Sequence, residues 1–205
     1  MIILGLTGSL GMGKSTAAAM FRRLGVPVHD SDAAVHRLMA PGGGAVAQVE
    51  AAFPGVTRRG GGIDRSALGA RVFGNEAALR RLERILHPLV RLSQQRFLAA
   101  ARRRRAGLVV LDVPLLFETG GERRCDKVVV VSAPAFLQRQ RVMKRPGMTE
   151  ERLGAVLAKQ MPDAEKRRRA DYVVPSGLGR AETFRRLQRI VAALREADAC
   201  TDESR

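Results

Sequence analysis

The chain has no tryptophan, a single tyrosine (Tyr172) and two cysteines, and aromatic residues make up only 4% of its 205 positions. So few aromatics argue against a stacking platform for single-stranded nucleic acid. They leave Leu, Val, Ile and Ala to fill the core. Cys125 and Cys200 stand far apart, in no CxxC or CxxH spacing. Neither a disulfide framework nor a zinc site is indicated, and a reducing, cytoplasmic location is expected. No apolar run approaches the roughly 20 residues that span a bilayer, and the apolar start at residues 1–6 is too short for a signal peptide. Asn75 is the only asparagine, so the Asn-Lys-x-Asp guanine reader of GTPases is absent.

What the chain does have is apolar mass and positive charge. At 45% hydrophobic it can bury a real core, and 205 residues amount to one domain, with room for an insertion. Thirty-six basic residues against 20 acidic ones give a net charge of +16. Such a balance attracts nucleic acid, acidic membranes or small polyanions such as nucleotides. The dense arginine runs, residues 102–105 and 167–169, fall at expected helix C-terminal ends, where cations complement the macrodipole. Charge alone therefore does not select among these partners.

Five short apolar runs read as strands: residues 2–6, 26–29, 108–113, 128–131 and 172–174. Near-continuous apolar strands separated by helical stretches indicate a parallel sheet covered by helices on both faces. Residues 15–24 read as a helix with Gly25 at its C′ stop. About 75 residues separate the second and third strands, far more than one crossover needs. Pro41-Gly-Gly-Gly44 and residues 58–62 punctuate that segment as loops. From Leu68 it reads as helix, with Leu79, Leu82, Ile85 and Leu86 at helical spacing and Pro88 expected to kink or split it. Ser132 reads as an N-cap with Pro134 in the first turn, and Thr149 opens a further helix that Pro162 limits. Phe184, Leu187, Ile190, Val191 and Leu194 form the apolar stripe of a closing helix.

Gly8-Ser-Leu-Gly11-Met12-Gly13-Lys14-Ser15 matches G-x-x-x-x-G-K-[ST]. The chemistry explains the residues. Glycines let the backbone wrap closely enough to aim N–H groups at phosphate oxygens. The following helix adds its positive end to the same anion, Lys14 reaches the β- and γ-phosphates, and the Ser15 hydroxyl is a Mg²⁺ ligand. Thr16 completes the nucleotide-binding stretch.

In a parallel sheet the loops after the strands share one edge. Asp30 and Asp32 follow the second strand, where a carboxylate can join the metal shell or take a proton from an attacking hydroxyl. The alternative for either is a helix cap. Asp112 ends the third strand in the form of a Walker-B carboxylate, with capping again the competing use.

The phosphate loop, His29-Asp-Ser-Asp32 and Asp112-Val-Pro114-Leu115-Leu116-Phe-Glu118 together resemble the dephospho-CoA kinase family. The resemblance continues through Ile63-Asp-Arg65, His87-Pro88, the stretch 138–145, Gln160 and Ala170-Asp-Tyr-Val-Val174, covering nearly the whole chain. It implies a three-layer α/β/α fold of the P-loop NTPase type within one domain spanning residues 2–200. Residues 1–32, 106–137 and 166–205 would form the nucleotide-binding core, 33–105 a helical acceptor-binding insertion and 138–165 a lid. It implies ATP and Mg²⁺, and transfer of the γ-phosphoryl to the ribose 3′-hydroxyl of dephospho-CoA. Asp32 matches the family's proposed base, and it joins Ser15 and Asp112 in the implied metal set. Arg141 and Arg145 match lid arginines. Asp30, Arg65, His87, Pro114, Leu115, Leu116 and Glu118 fall on the acceptor side. Two departures stand out: Pro146 in place of a common Asp, and Pro175-Ser176 in place of a common Asp-Asn. The chain is read as a monomer with no specific nucleic-acid partner and no membrane partner. A P-loop kinase of another small acceptor, such as a nucleoside monophosphate, and an ATP-dependent nucleic-acid-binding protein are the competing readings.

Overall fold

The computed structural model describes the backbone of residues 1–202 and the side chains of residues 1–198, so the Cys200 side chain and residues 203–205 of the expected core lie outside the described residues. The chain divides into two compact units, residues 1–29 with 101–205, and residues 30–100.

The first unit is built on a five-stranded sheet in the order β2-β3-β1-β4-β5. Its strands are β1 (Ile2–Thr7), β2 (Val28–Asp30), β3 (Leu108–Asp112), β4 (Lys127–Ser132) and β5 (Tyr172–Pro175). The ladders β1–β3, β1–β4 and β4–β5 are parallel, with Leu6 opposite Asp112 and Thr7 opposite Val130. Alternate residues of a strand face opposite ways, and here both faces are covered. Leu4, Leu6, Leu108, Val110, Val129 and Val131 pack against helices α1 (Lys14–Arg23) and α9 (Arg180–Asp202) through Ala17, Ala18, Phe21, Leu187, Val191 and Leu194. On the other face Val128 and Val130 meet Leu116 and Phe117, flanked by Cys125, Met161 and Ala170. Burial of a side chain of this size contributes about 1.5–3 kcal/mol each. Two-sided burial is what a near-continuous apolar strand requires. The same burial pushes the Cys125 thiol up to about 11.

The strands lie within a few residues of their expected places, and Gly25 (φ 72°) does follow the end of α1. The second strand begins at Val28, two residues late, because the Val26 amide is taken by the Phe21 carbonyl at the end of α1. Ser132 is not a cap. It is the last residue of β4, its hydroxyl donates to Asp163 Oδ2 at 2.7 Å, and α6 (Ala135–Met143) starts after Pro134. Thr149 does cap α7 (Glu150–Ala158), accepting from the Arg152 amide, and Pro162 stands before α8 (Asp163–Arg169).

The second unit is helical: α2 (Ser31–Met39), α3 (Val46–Ala52), α4 (Arg65–Val72) and most of α5 (Glu76–Arg103). It has its own core of Met39, Val49, Phe53, Val56, Ile63, Leu68, Leu82 and Leu86. Pro88 does not split its helix: α5 runs through it for 28 residues. Proline forfeits one backbone hydrogen bond, but Leu82, Ile85, Leu86 and Leu89 on either side pack into one core and hold the helix together. Among the described residues no helix is long and apolar enough to cross a membrane.

Candidate active site

The phosphate loop leaves the sheet at the carboxyl end of central β1. Gly8 passes so near β4 that a Cβ there would lie 2.5 Å from the Val131 carbonyl oxygen, so no larger residue fits. Gly13 takes φ 94° as the N-cap of α1, a left-handed conformation that glycine adopts without strain. The first turn of α1 holds no acidic residue, and its amides are those a helix leaves without internal partners. An anion is the natural complement. Ser15 is exposed and Thr16 half-buried in that turn, whereas the Met12 side chain is buried with its sulfur accepting from the Ala133 amide. The Met12 side chain therefore lines no ligand surface.

Because Asp112 pairs with Leu6 across the sheet, it stands beside the root of the loop. Its carboxylate, 2% exposed, holds the Lys14 ammonium at 2.8 Å. Asp112 is thus an ion-pair partner of the loop lysine. A phosphate arriving at the loop competes with Asp112 for Lys14.

The segment expected to be a lid is pinned to the loop near both ends. Gln138 donates to the Leu10 carbonyl at 2.7 Å, and Gln160 accepts from the Leu10 amide at 3.2 Å. Arg141 does not wait at a distance. Its guanidinium donates to the Ser176 hydroxyl and carbonyl, both at 2.9 Å, and to the Gly11 carbonyl at 3.4 Å. Arg145, past the end of α6, is exposed and has no ion-pair partner among the described residues. Sequence reasoning did not single out Ser176 as a site residue, yet it touches both Arg141 and the loop.

The Pro114–Glu118 stretch leaves β3 on the same side of the sheet. The Pro114 carbonyl accepts from the buried Thr7 hydroxyl at 3.0 Å, and Leu115 is partly exposed. Leu116 is 1% exposed and packs in the core, so its side chain supports this stretch and lines no ligand surface. Glu118 accepts from the Met161 amide and from the fully buried Lys166, each at 2.8 Å. This pair ties the end of the expected lid to the core. Removing one partner of a buried ion pair strands the other, so Lys166→Met is expected to cost about 3 kcal/mol in urea unfolding. Lys166→Met with Glu118→Gln, which keeps an acceptor for the Met161 amide, should recover more than half; no recovery would mean the pair is not what Lys166 supplies.

In the second unit Asp30 caps α2, accepting from the Ala33 amide at 2.9 Å. Asp32, in the first turn of the same helix, is exposed and makes no capping bond. His87 is exposed on α5. Arg65 lines a cavity of about 280 Å³ with Arg58 and His36, over an apolar floor that includes Met39 and Ile63. Three basic side chains over apolar groups suit an anion carrying organic substituents.

Magnesium fits the donors present in the first unit. An exposed hydroxyl at the start of α1 and a carboxylate at the end of β3 are hard oxygen ligands. Among the described residues no group of three His, Cys, Asp or Glu could hold a metal alone.

The family model described as dephospho-CoA kinase matches residues 2–179. A dephospho-CoA kinase of Paramagnetospirillum magneticum is 72% identical over 167 residues, 82% of this chain and 78% of that one. One from Mesorhizobium japonicum is 59% identical over 205 residues, 100% of this chain and 98% of its own. Among solved structures, TT1252 from Thermus thermophilus superposes with a TM-score of 0.82 at 38% identity, covering 94% of this chain and 96% of that one.

Proposed function

The chain belongs to the dephospho-CoA kinase family, and from that premise we propose that it moves the γ-phosphoryl of ATP to the ribose 3′-hydroxyl of dephospho-CoA. The observation that carries the chemistry is the phosphate loop, with Lys14 poised on Asp112 at the open end of α1.

In this reading the 3′-oxygen of the acceptor forms a bond to the γ-phosphorus while the bond from that phosphorus to the bridging oxygen of ADP breaks. The hydroxyl proton passes to a carboxylate. We assign that carboxylate to Asp32, supported by its exposure and by the fact that Asp30, not Asp32, caps the helix. Transfer of this kind asks mainly for positioning and for cations around the equatorial oxygens. The exposed amides of α1 and Lys14 hold the β- and γ-phosphates, Arg141 and Arg145 add charge from the other side, and closure of the α7 segment excludes water. Ser15 and Asp112 would hold Mg²⁺, which when bound neutralises phosphate charge. Arg65 and its neighbours offer charge to the diphosphate of the acceptor, and His87, Pro114, Leu115 and Glu118 are also assigned to acceptor binding. Two anionic substrates account for part of the net +16. We take it to act as a monomer in the cytoplasm, where the half-buried Cys125 thiol would stay reduced.

Offering ATP with dephospho-CoA, AMP, shikimate or no acceptor tests the reading. ADP should form rapidly with dephospho-CoA alone; faster turnover with AMP would favour a nucleoside monophosphate kinase instead.

A further inference from the structure

We infer that Ser176 is a positioning residue of the nucleotide site, locking Arg141 to the phosphate loop and aiming a loop amide at the phosphates. The inference rests on the phosphate-transfer reading above. The Ser176 hydroxyl has one proton to give and lone pairs to receive, and both capacities are used. It donates to the Met12 carbonyl at 2.6 Å and accepts from Arg141 Nη1 at 2.9 Å, while the Ser176 carbonyl accepts from Nη2 at 2.9 Å. The guanidinium is therefore gripped by both of its terminal nitrogens, and its third contact is the Gly11 carbonyl.

The consequence follows from peptide planarity. In a trans peptide the C=O of one residue and the N–H of the next point in opposite directions. Ser176 fixes the Met12 carbonyl, so the Gly13 N–H points away from Ser176. Gln138 does the same for the Gly11 N–H through the Leu10 carbonyl. Carbonyls turned back toward α6 and the β5–α9 turn leave amides turned outward, which is the polarity an anion needs. The fit is close. A Cβ added at Gly13 would lie 3.1 Å from the Ser176 oxygen and 3.8 Å from Arg141 Nη1. Arg141 thus meets a phosphate from a fixed position, and Ser176 sets that position.

Titration of ATP–Mg²⁺ by calorimetry, without acceptor, separates this role from the identity of the acceptor. Ser176→Ala is expected to weaken ATP binding about tenfold, the usual effect of losing a hydrogen bond to a charged group. Its melting temperature should stay within about 2 °C, because the hydroxyl bonds to functional groups and not to the apolar core. In an Arg141→Ala background the same change should cost only about threefold, since the guanidinium is gone and only the hold on the Met12 carbonyl is left to lose. Unchanged ATP affinity, a full tenfold loss persisting without Arg141, or a melting loss that matches the affinity loss each contradicts the inference. A wild-type chain that binds no ATP would instead remove the phosphate-loop reading itself.

Discussion

Lys14→Ala lowers kcat/KM at least a hundredfold, because the charge it places on the β- and γ-phosphates is missing when the transition state forms. Loss of one such charged donor typically costs ~3 kcal/mol or more. The structure adds a second effect. Lys14 is held by the nearly buried Asp112 carboxylate, so the variant also takes a charged partner from Asp112 and should melt at a lower temperature. Combining Lys14→Ala with Asp112→Asn should restore much of that melting temperature while turnover stays low. Steady-state kinetics beside thermal melts of the two variants checks both halves. Turnover within threefold of wild type in Lys14→Ala would reject the phosphate-loop assignment.

Asp32→Asn keeps the size of the side chain but removes its basicity and its charge. If Asp32 receives or orients the acceptor's proton, kcat falls by roughly 10²–10⁴ while ATP–Mg²⁺ affinity changes little. If its main place is in the metal shell, the Mg²⁺ dependence shifts as well and excess Mg²⁺ recovers activity. A purely capping role is already answered by the geometry, since the capping bond to the Ala33 amide comes from Asp30. The stability change should therefore be small, limited to the loss of one negative charge in the first turn of α2, about 0.3–1 kcal/mol. Near-normal kcat at ordinary Mg²⁺ would take Asp32 out of the site.

Much of this arrangement is legible in the sequence because it depends on local chemistry. The phosphate loop needs its glycines, its lysine and its hydroxyl in order, so the motif reports the geometry directly. Buried parallel strands must be apolar on both faces, which is why five short runs mark the sheet. Thr149 and Gly25 mark a helix start and a helix stop through their own backbone chemistry. Local rules fail where tertiary packing decides. Pro88 breaks a helical rule, but the apolar stripe on both sides of it packs into one core. Ser132 looks like a cap, yet the strand register extends to it and its hydroxyl donates a hydrogen bond to Asp163.

Contacts far apart along the chain carry no local mark at all. Lys166 reads as one more cation in a basic helix end, although it is fully buried on Glu118. Ser176 reads as a loop serine replacing a more common asparagine, although it bridges Arg141 and Met12. Arg141 reads as a lid arginine, and the β5–α9 turn already holds it against the loop. A resemblance places such residues near a site; only the fold gives their partners.

The central claim is that this chain phosphorylates one hydroxyl of one acceptor. Incubating it with ATP labelled at the γ-phosphate, Mg²⁺ and dephospho-CoA, then locating the label by mass spectrometry and ³¹P NMR, tests that claim most directly. One labelled phosphate is expected on the ribose 3′-oxygen, formed in step with ADP and lost in Lys14→Ala. Label recovered only as inorganic phosphate, or on any position other than the 3′-oxygen, would contradict it.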